Sequence, residues 1–267
     1  MAKTITLTDM LALERIEVNL FRGRAPADGR TRIFGGHVIA QALLAAYQTV
    51  EDRVCHSLHC YFIRPGDPAV PILYEVDRAR DGGSFATRRV IAIQHGQQIF
   101  NLAGSFQVPC EGVEHQDVIP HVPAADTLPA SEWGDEGWPI DVRPVEPRNT
   151  KPAPPFQNIW MRAPEPLGDD IVCNQVAVAF ASDMALMGTA MRPHGLQWDT
   201  PGMQTASLDH AIWFHRPTCF NEWHLFAQTS PAASGGRGLN FGEVYNADGR
   251  LVASIVQEGL MRMRPPK

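Results

Sequence analysis

Several things are scarce or missing in this sequence, and each absence narrows the possibilities. Among 267 residues there are five cysteines, Cys55, Cys60, Cys110, Cys173 and Cys219, and no C-x-x-C. An odd count without that spacing argues against a disulfide framework or a zinc ribbon and predicts buried, reduced thiols in a cytoplasmic protein. No apolar run spans a bilayer: the best, from Val38 to Tyr47, is about half of the roughly 20 residues required. The opening MAKTITLTDMLALERIEV lacks the apolar core of a secretory signal, and the closing RPPK carries no receptor-read tripeptide. Excess positive charge is also missing. A formal net charge of -6 gives no general attraction to nucleic acid or to an anionic membrane, although a local basic pocket for an anionic small molecule stays open.

Familiar catalytic signatures are absent as well. The chain has no G-x-S-x-G, no H-E-x-x-H and no P-loop. His56 and His59 are separated by an odd number of strand positions, as are His210 and His215, so neither pair shares a face for a metal. No metal and no cofactor is expected.

What is present is a strong pattern. Gly35 and Gly36 allow a close backbone approach, and the apolar positions that follow predict a buried helix from about Gly36 to Thr49. Strand-like segments follow at Cys55 to Arg64, Val70 to Arg80, Ser84 to Gln94 and Gln98 to Val108, separated by turn signals. Twelve of the 22 prolines fall between Pro109 and Pro166, which reads as a long connection with short strands at Ile140 to Glu146 and Gln157 to Arg162. The pattern then resumes: a strand at Ile171 to Phe180, a helix at Asp183 to Met191, and strands at Ser207 to Arg216, Trp223 to Thr229, Leu239 to Tyr245 and Leu251 to Arg262.

The two stretches are related. Arg64-Pro65 and Arg216-Pro217 are 152 residues apart (216 − 64), and Tyr61/Trp213, Phe62/Phe214 and Ile99/Leu251 keep that offset. One period held across several strands points to duplication. The fold expected is α+β, a double hotdog: two tandem repeats, each with a buried helix wrapped by an antiparallel sheet, over residues 1–110 and 156–267 with a proline-rich linker at 111–155. The offset also sets Cys55 against Ser207, and the two helix starts, at Gly36 and Asp183, are expected to be equivalent.

Three positions stand out within that frame. Gln257 is the only polar residue on the alternating face Leu251, Ala253, Ile255, Gln257, Gly259, Met261, Met263. A buried amide needs partners, so it is either a structural amide satisfied by backbone or a site amide. Asp183 reads as a cap at a helix start or as a site acid. Ser207 reads as an ordinary strand-edge serine or a site hydroxyl, with Asp209 beside it as a competing acid.

The stretches LFRGRAPADGRTRIFGGHVIAQAL, HSLHCYFIRPGD, RDGGSFATRRVIAIQHGQQIF, ASDMALM with RPHG, SLDHAIWFHRP and DGRLVASIVQEGLMR resemble the acyl-CoA thioesterase II family of double hotdog proteins. The resemblance covers most of the chain outside the proline-rich middle. It implies hydrolysis of fatty acyl-CoA by a water held on Asp183, Ser207 and Gln257, with His56 as a weaker further candidate. The hydroxyl position often carries threonine in that family and is serine here. Gly35 and Gly36 are candidates for oxyanion or substrate contacts through backbone N–H groups. A homodimer or higher homo-oligomer in the cytoplasm is expected. The alternatives are an acyl-CoA binding or sensing module with little activity, and a hotdog enoyl-CoA hydratase, which commonly needs an Asp–His or Glu–His pair.

Overall fold

The computed structural model describes residues 6–26, 29–131, 138–148 and 150–264. The first five and last three residues, on which part of the two terminal readings rests, lie outside this range. Among the described residues no helix is long and apolar enough to cross a membrane.

The chain opens with a short helix α1 (Leu7–Leu11) and two strands, β1 (Leu13–Glu17) and β2 (Leu20–Gly23). Helix α2 (Gly35–Tyr47) follows, close to the expected span. Its buried Gln41 is matched inside the core: it donates to the carbonyls of Met10 and Arg24 and accepts from the Tyr74 hydroxyl. Strands β3 (Val54–Phe62), β4 (Ile72–Asp81), β5 (Phe85–Gln94) and β6 (Gln97–Gln107) complete the first half. The proline-rich stretch contributes β7 (Asp141–Pro144) and leads to β8 (Phe156–Arg162).

The second half departs from the sequence reading at its start. Ile171–Ser182 is helix α3, not a strand. Asp170 caps it by accepting from the Val172 N–H at 2.8 Å. Asp183 therefore sits at the C-terminal end of a helix, and the expected equivalence of Gly36 and Asp183 as helix starts is wrong. Of the helix expected from Asp183 to Met191, the α-helical part is one turn, α4 (Gly188–Met191), which runs on into a 3-10 turn at Arg192–His194. The strand expected from Ser207 to Arg216 is two: β9 (Met203–Ser207) ends at Ser207, and β10 runs from Asp209 to Phe214. Strands β11 (His224–Ser234), β12 (Arg237–Tyr245) and β13 (Leu251–Met263) follow as expected.

All strands join one antiparallel sheet in the order β1-β2-β4-β5-β6-β3-β10-β13-β12-β11-β8-β7, with β9 added on β13. The order is the same read from the seam outward in both directions. The seam is the β3–β10 pairing, whose middle pair is His59 opposite Ala211, residues again 152 apart. The β4–β5 ladder shifts register between Asp77 and Arg80, and the β11–β12 ladder shifts between Thr229 and Ala232, each the same 152 residues later. A bulge repeated at the same offset is evidence for duplication independent of residue identity.

Helices α2 and α3 pack against each other, and α2 also lies across β4, β5 and β6. The start of α2 meets the end of α3: a Cβ at Gly36 would strike the Phe180 carbonyl oxygen, so only glycine permits the approach. Arg88, almost fully buried, ties the end of α2 to the β4–β5 hairpin by donating to the Thr49 carbonyl and hydroxyl, the Arg80 carbonyl and the Asp81 carboxylate. All five cysteines are free; Cys55 and Cys60 are buried as expected, whereas Cys110 and Cys173 are exposed and Cys219 is half-buried.

Candidate active site

Three elements of the second half and one of the first converge on Asp183. The residue is the C-cap of α3, with its carboxylate turned toward the start of α2. Its Oδ2 accepts from the Gly36 N–H at 2.9 Å. Its Oδ1 accepts from Gln257 Nε2 at 2.5 Å and from the Ser207 hydroxyl at 3.2 Å. Gln257 Nε2 also lies 3.2 Å from Ser207 Oγ, so the three side chains form a closed triangle.

Strand geometry accounts for this meeting. Strand β13 pairs with β10 from Ala253 to Val256 and with β9 from Gly259 to Met263. Gln257 stands where the partner strand changes, opposite the break at Leu208. Ser207 closes β9 at that same break. Gln257 is 0% exposed, and its Oε1 is buried with no hydrogen-bond partner. A buried amide oxygen left unpaired is costly unless something else engages it.

Burial pushes the Asp183 carboxyl up to about 6, against the opposing pull of the hydrogen bonds from Gln257, Ser207 and Gly36. A carboxyl titrating there is ionised at neutral pH yet basic enough to take a proton. Asp209 is placed differently: its Oδ1 accepts from the Glu258 N–H at 2.8 Å. His56 is not brought to the triangle; its Nε2 pairs with Ser105 Oγ at 2.8 Å and its ring meets Phe85 edge-on.

The two glycines have separate parts. Gly36 uses its N–H to hold Asp183, so it is not free to meet an oxyanion. Gly35 lines the cavity, and a Cβ there would come within 2.6 Å of Asp183 Oδ2. That cavity is an open cleft of about 1030 Å³ in which Asp183 and Ser207 are flanked by Val38, Phe62, Phe100 and Met187. Four arginines and two tryptophans also border it, a feature the sequence reading did not find because they come from separated loops. Among the described residues no cluster of three or more His, Cys, Asp or Glu side chains is arranged to hold a metal ion.

Two hotdog halves sharing one sheet, with an acid and a hydroxyl lining an open cleft and a buried amide bonded to both, define a double hotdog enzyme. Comparison with known proteins narrows the class. The profile of the acyl-CoA thioesterase family matches residues 131–260, and that of the acyl-CoA thioesterase N-terminal domain matches residues 23–107. Acyl-CoA thioesterase 2 of Haemophilus influenzae is 41% identical, over 96% of each chain. The crystal structure of an acyl-CoA thioesterase II from Mycobacterium marinum superposes with a TM-score of 0.83 at 41% identity, covering 97% of both chains. A protein of hot dog fold from Alicyclobacillus acidocaldarius gives the same TM-score of 0.83 at only 22% identity and so speaks for the fold alone. The chain belongs to the acyl-CoA thioesterase family.

Proposed function

We propose that the protein hydrolyses fatty acyl-CoA to a free fatty acid and coenzyme A by direct attack of a water held on Asp183, Ser207 and Gln257. The observation that carries this reading is the triangle itself: a carboxyl lining a cleft, raised to about 6 by burial, fixed by three donors, beside an unpaired amide oxygen. A carboxylate offers about four acceptor sites, of which the three donors take three. The remaining lone pair and Gln257 Oε1 suit the two protons of one water.

The water oxygen attacks the thioester carbonyl carbon while Asp183 takes its proton. Ser207 and Gln257 fix the direction of attack, which supplies the orientation term. Negative charge gathers on the former carbonyl oxygen. The start of α2 offers the Gly35 N–H and the positive end of the helix dipole there. Collapse breaks the C–S bond, and the coenzyme A thiolate takes the proton back from Asp183. Hotdog enoyl-CoA hydratases commonly use an Asp–His or Glu–His pair, and the partners of Asp183 are Gly36, Ser207 and Gln257 instead.

Thiol release from acyl-CoA, followed with a thiol reagent on folded protein, tests the reading. Asp183→Asn is expected to cut turnover by about 10²–10⁴-fold. Asp209→Asn keeps the oxygen that accepts from Glu258 and is expected to cost less than about tenfold, the worth of one hydrogen bond. Full activity in Asp183→Asn with loss in Asp209→Asn would move the base to Asp209.

A further inference from the structure

The chain as a whole is acidic, with a formal net charge of -6, but the cleft is not. Among the described residues its lining carries four arginines, Arg30, Arg32, Arg64 and Arg148, against one carboxylate, Asp183. Arg148 is already paired with Asp199 at 3.0 Å. Arg30 lies with its Cζ 4.0 Å from the centre of the Trp138 ring. The other two, Arg32 and Arg64, are exposed, and each bonds a backbone carbonyl: Arg32 Nη1 to Thr205 at 3.0 Å and Arg64 Nη1 to Gln98 at 2.7 Å. A guanidinium has five N–H donors, so each keeps several for a ligand.

The loops bearing them are held together. The Ile33 N–H donates to the Gly66 carbonyl at 3.1 Å, which joins the segment before α2 to the turn after β3. The N–H groups of Ile63 and Arg64 both donate to the Ile99 carbonyl, at 2.9 and 3.1 Å. Arg32 in turn bonds Thr205 on β9, two residues from Ser207. Two cations are thus anchored in the lining of the same cleft that Asp183 and Ser207 line. A single arginine on a surface says little. Two fixed by their own contacts to backbone carbonyls, on joined loops lining one cleft of an acidic protein, form a focused positive site.

We infer that Arg32 and Arg64 are a phosphate cradle that holds the nucleotide end of coenzyme A and so sets the carrier specificity of the cleft. The inference rests on the thioesterase reading of the same site. Planar, forked guanidinium groups match phosphate oxygens two at a time, and the diphosphate and 3′-phosphate of coenzyme A are the charged groups of that substrate. The acyl chain and pantetheine carry no charge and need no arginine. Both residues act on binding and placement, not on the reacting atoms.

The test compares the same acyl group on two carriers. Wild type and Arg32→Ala/Arg64→Ala are assayed on hexanoyl-CoA and on hexanoyl-pantetheine, which lacks every phosphate. Binding of free coenzyme A is measured by calorimetry on the same proteins. The double variant is expected to lose roughly 10- to 100-fold in kcat/KM on hexanoyl-CoA, mostly through KM, and less than about threefold on hexanoyl-pantetheine. The affinity for free coenzyme A should fall by a similar factor, and the wild-type affinity should weaken as salt rises. Equal losses on both carriers, or undiminished binding of coenzyme A, overturn the cradle. Wild type that binds coenzyme A through these arginines but cleaves neither thioester overturns the hydrolase reading and leaves the cradle standing. Arg32→Lys/Arg64→Lys, which keeps the charge but not the fork, should recover part of the binding.

Discussion

At the scale of the residue, the proposed mechanism makes Asp183 the source of the pH dependence. Its carboxyl is raised to about 6 by burial, so kcat/KM on the acyl-CoA should climb through that pH and level off above it. Asp183→Asn should lose this limb along with the rate. The same shift predicts a stability effect of definite sign. The folded state holds the proton more tightly than the unfolded chain, whose carboxyl titrates near 3.8. Asp183 therefore costs nothing below pH 3.8, and stability declines as pH rises from there to about 6, then stays level. Chemical denaturation across that window should show this slope in the difference between wild type and Asp183→Asn, because His210 and His224, which burial lowers to about 3 and about 4, contribute equally to both. Ser207 is placed less firmly, since serine lacks the methyl that restricts a threonine rotamer. Ser207→Thr should keep activity within about threefold, and Ser207→Ala should cost roughly tenfold, the worth of one hydrogen bond. Both are read by thiol release. The sequence made Gln257 legible because a lone amide on an apolar strand face has to be accounted for. Ser207 and Asp183 were ordinary by pattern alone and came forward through the family resemblance. The role of Gly36 was hidden, because a glycine chosen for close helix packing also supplies the N–H that holds the acid.

At the scale of the element, the helices explain both a failed reading and an absent second site. Ile171–Ser182 is buried on most sides and its few polar residues, Asn174, Gln175 and Ser182, are buried too, so no clear 3.6-residue period emerges, and its valines and isoleucine favour a strand by propensity. Burial against α2 decides for helix. The antiparallel strands were legible because each alternates and ends at a glycine or proline turn, but the β9–β10 break was not, since Leu208 carries no turn signal. The halves then differ where they should correspond. Tyr47 follows the start of α2 by the same 12 residues that separate Asp183 from the start of α3. Cys55 lies 152 residues before Ser207. Where the second half has an acid and a hydroxyl, the first has a closed structural knot. The Tyr47 hydroxyl donates to Gln175 Oε1 and accepts from the Cys55 N–H at 2.7 Å, and Gln175 Nε2 donates to the Cys55 carbonyl at 3.0 Å. Tyr47→Phe removes the centre of this knot and strands a buried N–H and an amide oxygen. It should lower the unfolding free energy by about 1–3 kcal/mol. Urea melting checks the stability, and thiol release at a temperature where the variant is folded should remain within twofold of wild type.

At the scale of the whole molecule, the site belongs to neither half. The acid, hydroxyl and amide come from the second, while the Gly36 N–H that holds Asp183 and the α2 start that faces the cleft come from the first. The halves also share one ladder, with Ser57–Tyr61 of β3 paired to Asp209–Trp213 of β10. Leu58, Cys60 and Ile212 are buried along that seam. Cutting the chain at the linker would expose a central strand edge and the packed faces of α2 and α3 together, a combination that favours aggregation or mispairing over a folded half. Residues 1–110 and 111–267, produced separately, should each be inactive and poorly soluble. Produced together in one cell they should reassemble through the seam and recover thioesterase activity, because a covalent link matters less than pairing of the β3 and β10 edges. A fragment pair carrying Gly36→Ala in the first piece should assemble poorly or not at all, since the added methyl meets the Phe180 carbonyl across the helix contact. Activity from 111–267 alone would show that the second half builds the site unaided, and would remove the first half from the mechanism.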